Sequence, residues 1–118
     1  MIIAFSATAH QHLVRRPEIE RARRLLQERF DQPMSLDELA RVAGLSKFHF
    51  LRLFRDLVGK TPHAYQLHLR IVRARELLDQ GVHSVEVALI CGFTDQPHFS
   101  RCFKGIVGYT PGEFSRLA

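Results

Sequence analysis

The sequence predicts an all-α domain assembled from two similar halves. Three observations carry that reading. Apolar residues recur at three- and four-residue steps along most of the chain, the signature of amphipathic helices. Alternating strand-like runs are nearly absent. The second half also repeats the first at an almost constant spacing, as duplicated supersecondary units do. With 118 residues the chain fits one ordinary domain, or two very small ones sharing a core.

Taken in order, residues 1–16 show no clear periodicity and are expected to form an N-terminal arm or linker end. The first helix is expected to open at Pro17, a residue suited to a first turn. Ile19, Ala22, Leu25, Leu26 and Phe30 supply its apolar stripe, and Asp31-Gln32-Pro33 breaks it. Ser35 and Glu38 have the spacing of a capping box, which starts a short helix over 36–43 that Gly44 ends. Ser46 caps a third helix with Phe50, Leu53, Phe54 and Leu57 inward, stopping near Gly59. These elements make a first unit over about 35–59.

Thr61-Pro62 opens the longest helical pattern, about 62–80, with Tyr65, Leu69, Val72 and Leu78 as expected buried positions. About 18 residues at ~1.5 Å each make a rod roughly 27 Å long. A second unit over about 84–108 follows. Ser84 opens a short helix, Gly92 closes it, and Asp95 caps another that buries Phe99, Cys102, Phe103 and Ile106 before Gly108. Thr110-Pro111-Gly112-Glu113 then starts a final turn or two. The folded domain is therefore expected over 17–118.

The halves superimpose residue by residue. Before the turn the offset is 48, with Ala40 matching Ala88 and Gly44 matching Gly92. After the turn it is 49, where Phe50, Arg52, Phe54 and Arg55 meet Phe99, Arg101, Phe103 and Lys104. Gly59, Thr61, Pro62 and Tyr65 likewise meet Gly108, Thr110, Pro111 and Phe114. Each unit reads as short helix, glycine turn, second helix. This is helix-turn-helix anatomy, in which the second helix enters the major groove.

Helical phase selects the outward residues. With Phe50 inward at ~100° per residue, Phe48, Arg52 and Arg55 face out, with Leu51 at the edge. With Phe99 inward, Pro97, Arg101 and Lys104 face out, flanked by His98 and Ser100. Arginine can bond both guanine acceptors at once, so Arg52 and Arg101 head the candidate base readers. Phe48 suits a thymine methyl, and Leu51, Gln96, Pro97 and His98 complete the base-contact set. Lys47, Arg55 and Lys104, with Ser46 and Ser100, are the candidate phosphate contacts. Backbone N–H groups at the helix starts near Ser46 and Asp95 add to them, although the Asp95 carboxylate opposes a nearby phosphate.

Composition agrees. Lys and Arg outnumber Asp and Glu by 17 to 12, a net charge of +5 that favours a polyanionic partner. No apolar run approaches the ~20 residues of a membrane span, and Met1–Phe5 is too short for a signal-peptide core. Cys91 and Cys102 make no disulfide framework, which favours a reduced, cytoplasmic setting. An enzyme is not expected. His10 and His12 are too close for one helix face, and Cys102 of a Cys91/His98/Cys102 metal set falls on the core stripe. Neither a histidine-carboxylate-nucleophile set nor a phosphate-cradling glycine loop is present, and no cofactor is expected.

These residues resemble the DNA-binding domain of the AraC/XylS family of bacterial transcription regulators, over about Pro17 to Ser115. The carrying segments are Ser35–Ala40, Gly44-Leu45-Ser46 with Phe54 and Gly59, and Tyr65 with Arg70, Ala74, Leu77 and Leu78. The most specific is Gly92–Lys104, followed by Gly108 and Thr110-Pro111. The resemblance implies seven helices forming two helix-turn-helix subdomains joined by the long central helix. It implies that helices 46–58 and 96–107 recognise successive major grooves, roughly 34 Å apart. It further implies transcription activation with contact to RNA polymerase, and a dimerisation or effector domain only outside this chain. On that basis the chain is expected to be either a compact one-domain regulator or, the slightly favoured reading, the tail of a longer protein. Two departures bear on the target: Pro97 stands where relatives often carry a small polar residue, and Leu51 where some carry a polar base reader. The rival reading is a helical protein-interaction module without sequence-specific DNA binding.

Overall fold

The computed structural model describes residues 7–117, with side-chain environments from residue 15 onward. Among the described residues there are seven helices and no strand. They are α1 (Ala7–Arg29), α2 (Leu36–Ala43), α3 (Lys47–Val58), α4 (Pro62–Asp79), α5 (Ser84–Ile90), α6 (Gln96–Val107) and α7 (Pro111–Leu117). The chain divides into two compact units. One comprises residues 7–28 and 34–65, the other 29–33 and 66–117, so α4 starts in the first and continues in the second.

The helix starts follow from local chemistry. The Ser35 hydroxyl accepts from the Glu38 N–H (3.1 Å) while Glu38 Oε2 accepts from the Ser35 N–H (3.4 Å), completing the capping box. Thr61 Oγ1 accepts from the Ala64 N–H, and Thr110 and Glu113 form a second reciprocal box ahead of α7. Hydrogen bonds from the Thr110 backbone and hydroxyl partners hold the Glu113 carboxyl below its ordinary value.

Both helix-turn-helix turns use one geometry. Gly44 and Gly92 are left-handed, at φ 71° and 90°. The Gly44 and Leu45 N–H groups donate to the Arg41 and Ala40 carbonyls, and those of Gly92 and Phe93 donate to Leu89 and Ala88. The next helix is capped by Ser46 in one unit and Asp95 in the other. Thr94 is therefore the extra residue that changes the offset from 48 to 49.

The first core contains Ile19, Ala22 and Leu26 of α1, Leu39, Ala40 and Ala43 of α2, Phe50, Leu53 and Phe54 of α3, and Tyr65. Phe54 contacts Phe50 (5.5 Å between centroids) and, edge on, Tyr65 (5.8 Å). The second core contains Ile71, Ala74, Leu77, Leu78, Val87, Ala88, Cys91, Phe93, Phe99 and Phe103. There Phe103 contacts Phe99 (5.7 Å) and Phe114 (5.5 Å) in the matching arrangement. Truncating any one of these buried rings to alanine should cost ~3–5 kcal/mol.

The duplication also reaches further than the sequence suggests. Ile19, Ala22, Arg23 and Leu26 of α1 correspond to Ile71, Ala74, Arg75 and Leu78 of α4, 52 positions on. The Arg23 guanidinium lies 5.5 Å over the Tyr65 ring, and that of Arg75 lies 5.5 Å over Phe114.

Three expectations are corrected. The first helix does not open at Pro17: α1 begins at Ala7 and holds Pro17 inside it. Residues 7–16 contain no glycine or proline to stop the helix, and the proline removes only one of many N–H donors. The remainder of the expected arm, residues 1–6, lies outside the described residues. In α4, Val72 is 43% exposed and Leu69 only half-buried, because the buried stripe runs through Ile71, Ala74, Leu77 and Leu78. In α6, Ile106 is 47% exposed and Cys102 half-buried, since Phe99 and Phe103 fix the core face. As expected, α5 opens at Ser84, and His83 ahead of it is the cap, its Nδ1 accepting from the Val85 N–H (3.3 Å).

Candidate nucleic-acid interface

In the first unit, α3 presents two faces of different chemistry. Phe50, Leu53 and Phe54 are buried, while Phe48 is 78% exposed and Arg52 and Arg55 are exposed beside it. Leu51 is half-buried at the margin. Lys47 is exposed, with Nζ 3.9 Å from Asp37 Oδ1 and 6.0 Å from the centre of the Phe48 ring. A surface ion pair of this kind is worth only ~0–1 kcal/mol, so it holds Lys47 weakly. Among the described residues Arg52 and Arg55 have no ion pair.

In the second unit, Gln96, Pro97, Arg101 and Lys104 are exposed on α6, and His98 and Ser100 are half-buried. The His98 ring meets the edge of Phe93 at 5.5 Å, and Gln96 Nε2 donates to Ser84 Oγ of α5 (3.3 Å). Each unit thus places its exposed candidates opposite its buried aromatic pair, with Leu51, His98 and Ser100 at the margins.

The two helix starts differ. The Ser46 hydroxyl accepts from the His49 N–H at the start of α3 (3.4 Å), leaving the Lys47 and Phe48 N–H groups without an intrahelical acceptor. At α6, Asp95 Oδ1 accepts from the His98 N–H (2.7 Å), and Pro97 has no N–H at all. Pro97 sits in the first turn, where a missing donor breaks no helical bond, so the helix tolerates it. The α6 start therefore offers one open donor beside a carboxylate, and the α3 start offers two beside a hydroxyl.

Several residues that shape these faces were given no role from sequence, although Arg70 and Phe93 lie in the segments that carry the family resemblance. Phe93 is buried in the second turn, against Phe99 (5.2 Å) and under the Arg70 guanidinium (5.5 Å). Arg70 and Gln66 hold backbone carbonyls of the turn after α1. The available signal for Phe93 was its correspondence with Leu45. For Ser84 and Asp37, the partners of Gln96 and Lys47, no signal existed in spacing. Cys91 is fully buried in the second core, and burial pushes its thiol up to about 11. Cys102 is raised by the same cause. Among the described residues no cluster of His, Cys, Asp or Glu could hold a metal ion, and no helix is long and apolar enough to cross a membrane.

Paired helix-turn-helix units, each with an exposed basic second helix, define a DNA-binding helix-turn-helix domain. A family model described as a helix-turn-helix domain matches residues 39–117. The transcriptional regulator GbdR of Pseudomonas aeruginosa is 38% identical over 96 residues, covering 80% of this chain. The chain spans only 26% of that relative's length. Among solved structures, an AraC-type DNA-binding regulator from Chromobacterium violaceum matches with a TM-score of 0.77 at 35% identity, covering 86% of this chain and 91% of that one. The DNA-binding domain of AdpA, solved in complex with a target DNA, matches with a TM-score of 0.79 at 27% identity, covering 85% and 91%. The chain belongs to the AraC/XylS-type helix-turn-helix family.

Proposed function

We propose that the chain reads a double-stranded DNA site with α3 and α6, each set in a major groove, and that it regulates bacterial transcription as an activator. Arg52 and Arg101 take guanine edges, and Phe48 packs on a thymine methyl with Leu51 beside it. Gln96, Pro97 and His98 contact the bases under the start of α6. Lys47, Arg55 and Lys104 neutralise phosphates, with Ser46 and Ser100 as neutral contacts. The observation that carries this reading is Phe48, a large apolar ring 78% exposed between a lysine and an arginine on the face opposite the core. A lone exposed ring is ordinary, but one set among cations on the outward face of the second helix of a helix-turn-helix has the chemistry to pack on a thymine methyl.

The same reading places the protein in the cytoplasm, gives it no catalytic role, and adds a contact to RNA polymerase during activation. Selection of bound duplexes from a random pool tests it. The expected result is one enriched site containing two unlike half-sites, with affinity falling steeply as salt rises. Binding indifferent to salt, or no enriched sequence, would refute it and favour a helical protein-interaction module.

A further inference from the structure

We propose that Arg70, on α4, is a positioning residue for base reading by α6. The inference rests on the reading of α6 as a recognition helix and assigns a residue that does not touch DNA to its accuracy.

The geometry is a bridge with three attachment points. Arg70 Nε donates to the Phe30 carbonyl (2.6 Å) and Nη2 to the Gln32 carbonyl (3.4 Å), while the guanidinium plane lies 5.5 Å over Phe93. Burial lowers the affinity of this guanidinium for its proton, so the carbonyl dipoles and the ring face stand in for lost water. The buried Gln66 amide donates to the same two carbonyls, at 3.3 and 2.8 Å. The turn over 30–32 is therefore fixed from one side by α4. On the other it abuts the α5–α6 turn, since a Cβ placed on Gly92 would lie 2.8 Å from the Asp31 carbonyl carbon.

Phe93 passes this constraint to the recognition helix. Its ring is buried, packs on Phe99 at 5.2 Å, and sets its edge against His98 at 5.5 Å. His98 is half-buried in the first turn of α6. With Arg70 removed, Phe93 loses the cation on its face and the 30–32 carbonyls lose their charged donor. The side-chain direction of His98 then loosens while its identity is unchanged. Arginine is needed for this, because only its planar fork can stack on a ring and donate at two points together.

The test is a selection of duplexes from a random pool by the whole chain and by variants. H98A and R101A mark the base positions read by α6, and R52A marks those read by α3. R70M is expected to relax preference at the positions sensitive to H98A by about three- to tenfold, the scale of coupling between residues in contact. Preference at the R52A-sensitive positions should stay as in wild type. The R70M/H98A double variant should be no worse at the α6 positions than H98A alone. R70K keeps the charge but loses the fork, and it is read in the same way should R70M fail to fold. Equal weakening for all sequences, a change at the α3 positions, or additive losses in the double variant would overturn the proposal and leave DNA reading intact. A wild-type chain that enriches no sequence would overturn both.

Discussion

Gly44 and Gly92 occupy equivalent turns, so replacing each with alanine separates two costs within one molecule. Gly44 has φ 71° and open space around a new Cβ, whereas Gly92 has φ 90° and the Asp31 backbone in the way. Alanine in the left-handed region costs ~1–2 kcal/mol, and G44A should lose that alone. G92A carries the same strain and must also displace the 30–32 turn, whose carbonyls take donors from Gln66 and Arg70. Leaving one such buried group unsatisfied adds ~1–3 kcal/mol. G92A should therefore cost ~2–5 kcal/mol in total. For 118 residues the unfolding entropy is about 250 cal/mol/K, so 1 kcal/mol shifts Tm by roughly 4 °C. Calorimetry should show a drop of about 4–8 °C for G44A and a larger one, about 8–20 °C, for G92A. Should the units melt separately, each drop belongs to its own transition. Equal drops for the two variants would refute the close approach of Gly92 to Asp31.

Three other outcomes follow from the same geometry. R52A and R101A should each weaken specific binding by ~1–3 kcal/mol and relax one base position, whereas R55A should weaken all sequences alike and reduce the salt slope by about 1. Fluorescence anisotropy across a salt series checks both. The Tyr65 hydroxyl accepts from Arg23 Nε (3.2 Å) and Gln27 Nε2 (2.9 Å), so Y65F should lose about 1–2 kcal/mol in urea unfolding with an unchanged m-value. The buried Cys91 thiol keeps its proton up to about pH 11, while the unfolded thiol loses it near its ordinary value of 9.0. The unfolded state therefore binds fewer protons between pH 9 and 11, and stability should fall as pH rises through that window. C91A, measured by urea unfolding, should remove that part of the pH dependence; an unchanged slope would contradict the assignment.

How much was legible in the sequence depends on the range of the interaction. Caps and turns are encoded within four residues, so Ser35, Ser46, Thr61, Asp95 and Thr110 could be read directly. The exposed position of Phe48 was legible for a related reason: helical phase depends only on spacing from Phe50 and Phe54. Phase fails where several apolar residues compete for one stripe, as at Val72 and Ile106. Pro17 misled because a proline near a periodic run usually marks a first turn, and here the helix continues before it. Arg70 was legible as part of a family pattern, but its contacts were not. Its acceptors lie 38 to 40 positions away, on backbone carbonyls whose side chains carry no trace of the contact.

Duplication explains why the halves share a frame and not a surface. Packing constrains the interior of each unit to the same shapes, so Phe50 and Phe54 meet their counterparts Phe99 and Phe103 in matching contacts. The match loosens at the margin of each core and is lost where side chains are exposed. Tyr65 gathers donors from Arg23 and Gln27, while its counterpart Phe114 receives only the stacked Arg75. The divergence is greatest at the starts of α3 and α6, where Ser46-Lys47-Phe48 stands against Asp95-Gln96-Pro97. On the proposed reading a phosphate would meet two open N–H groups and a lysine at the first, and one N–H beside a carboxylate at the second. On the proposed reading α6 must therefore take its backbone contacts further along, at Ser100 and Lys104. The two half-sites would then differ in where the protein grips the strand as well as in the bases read.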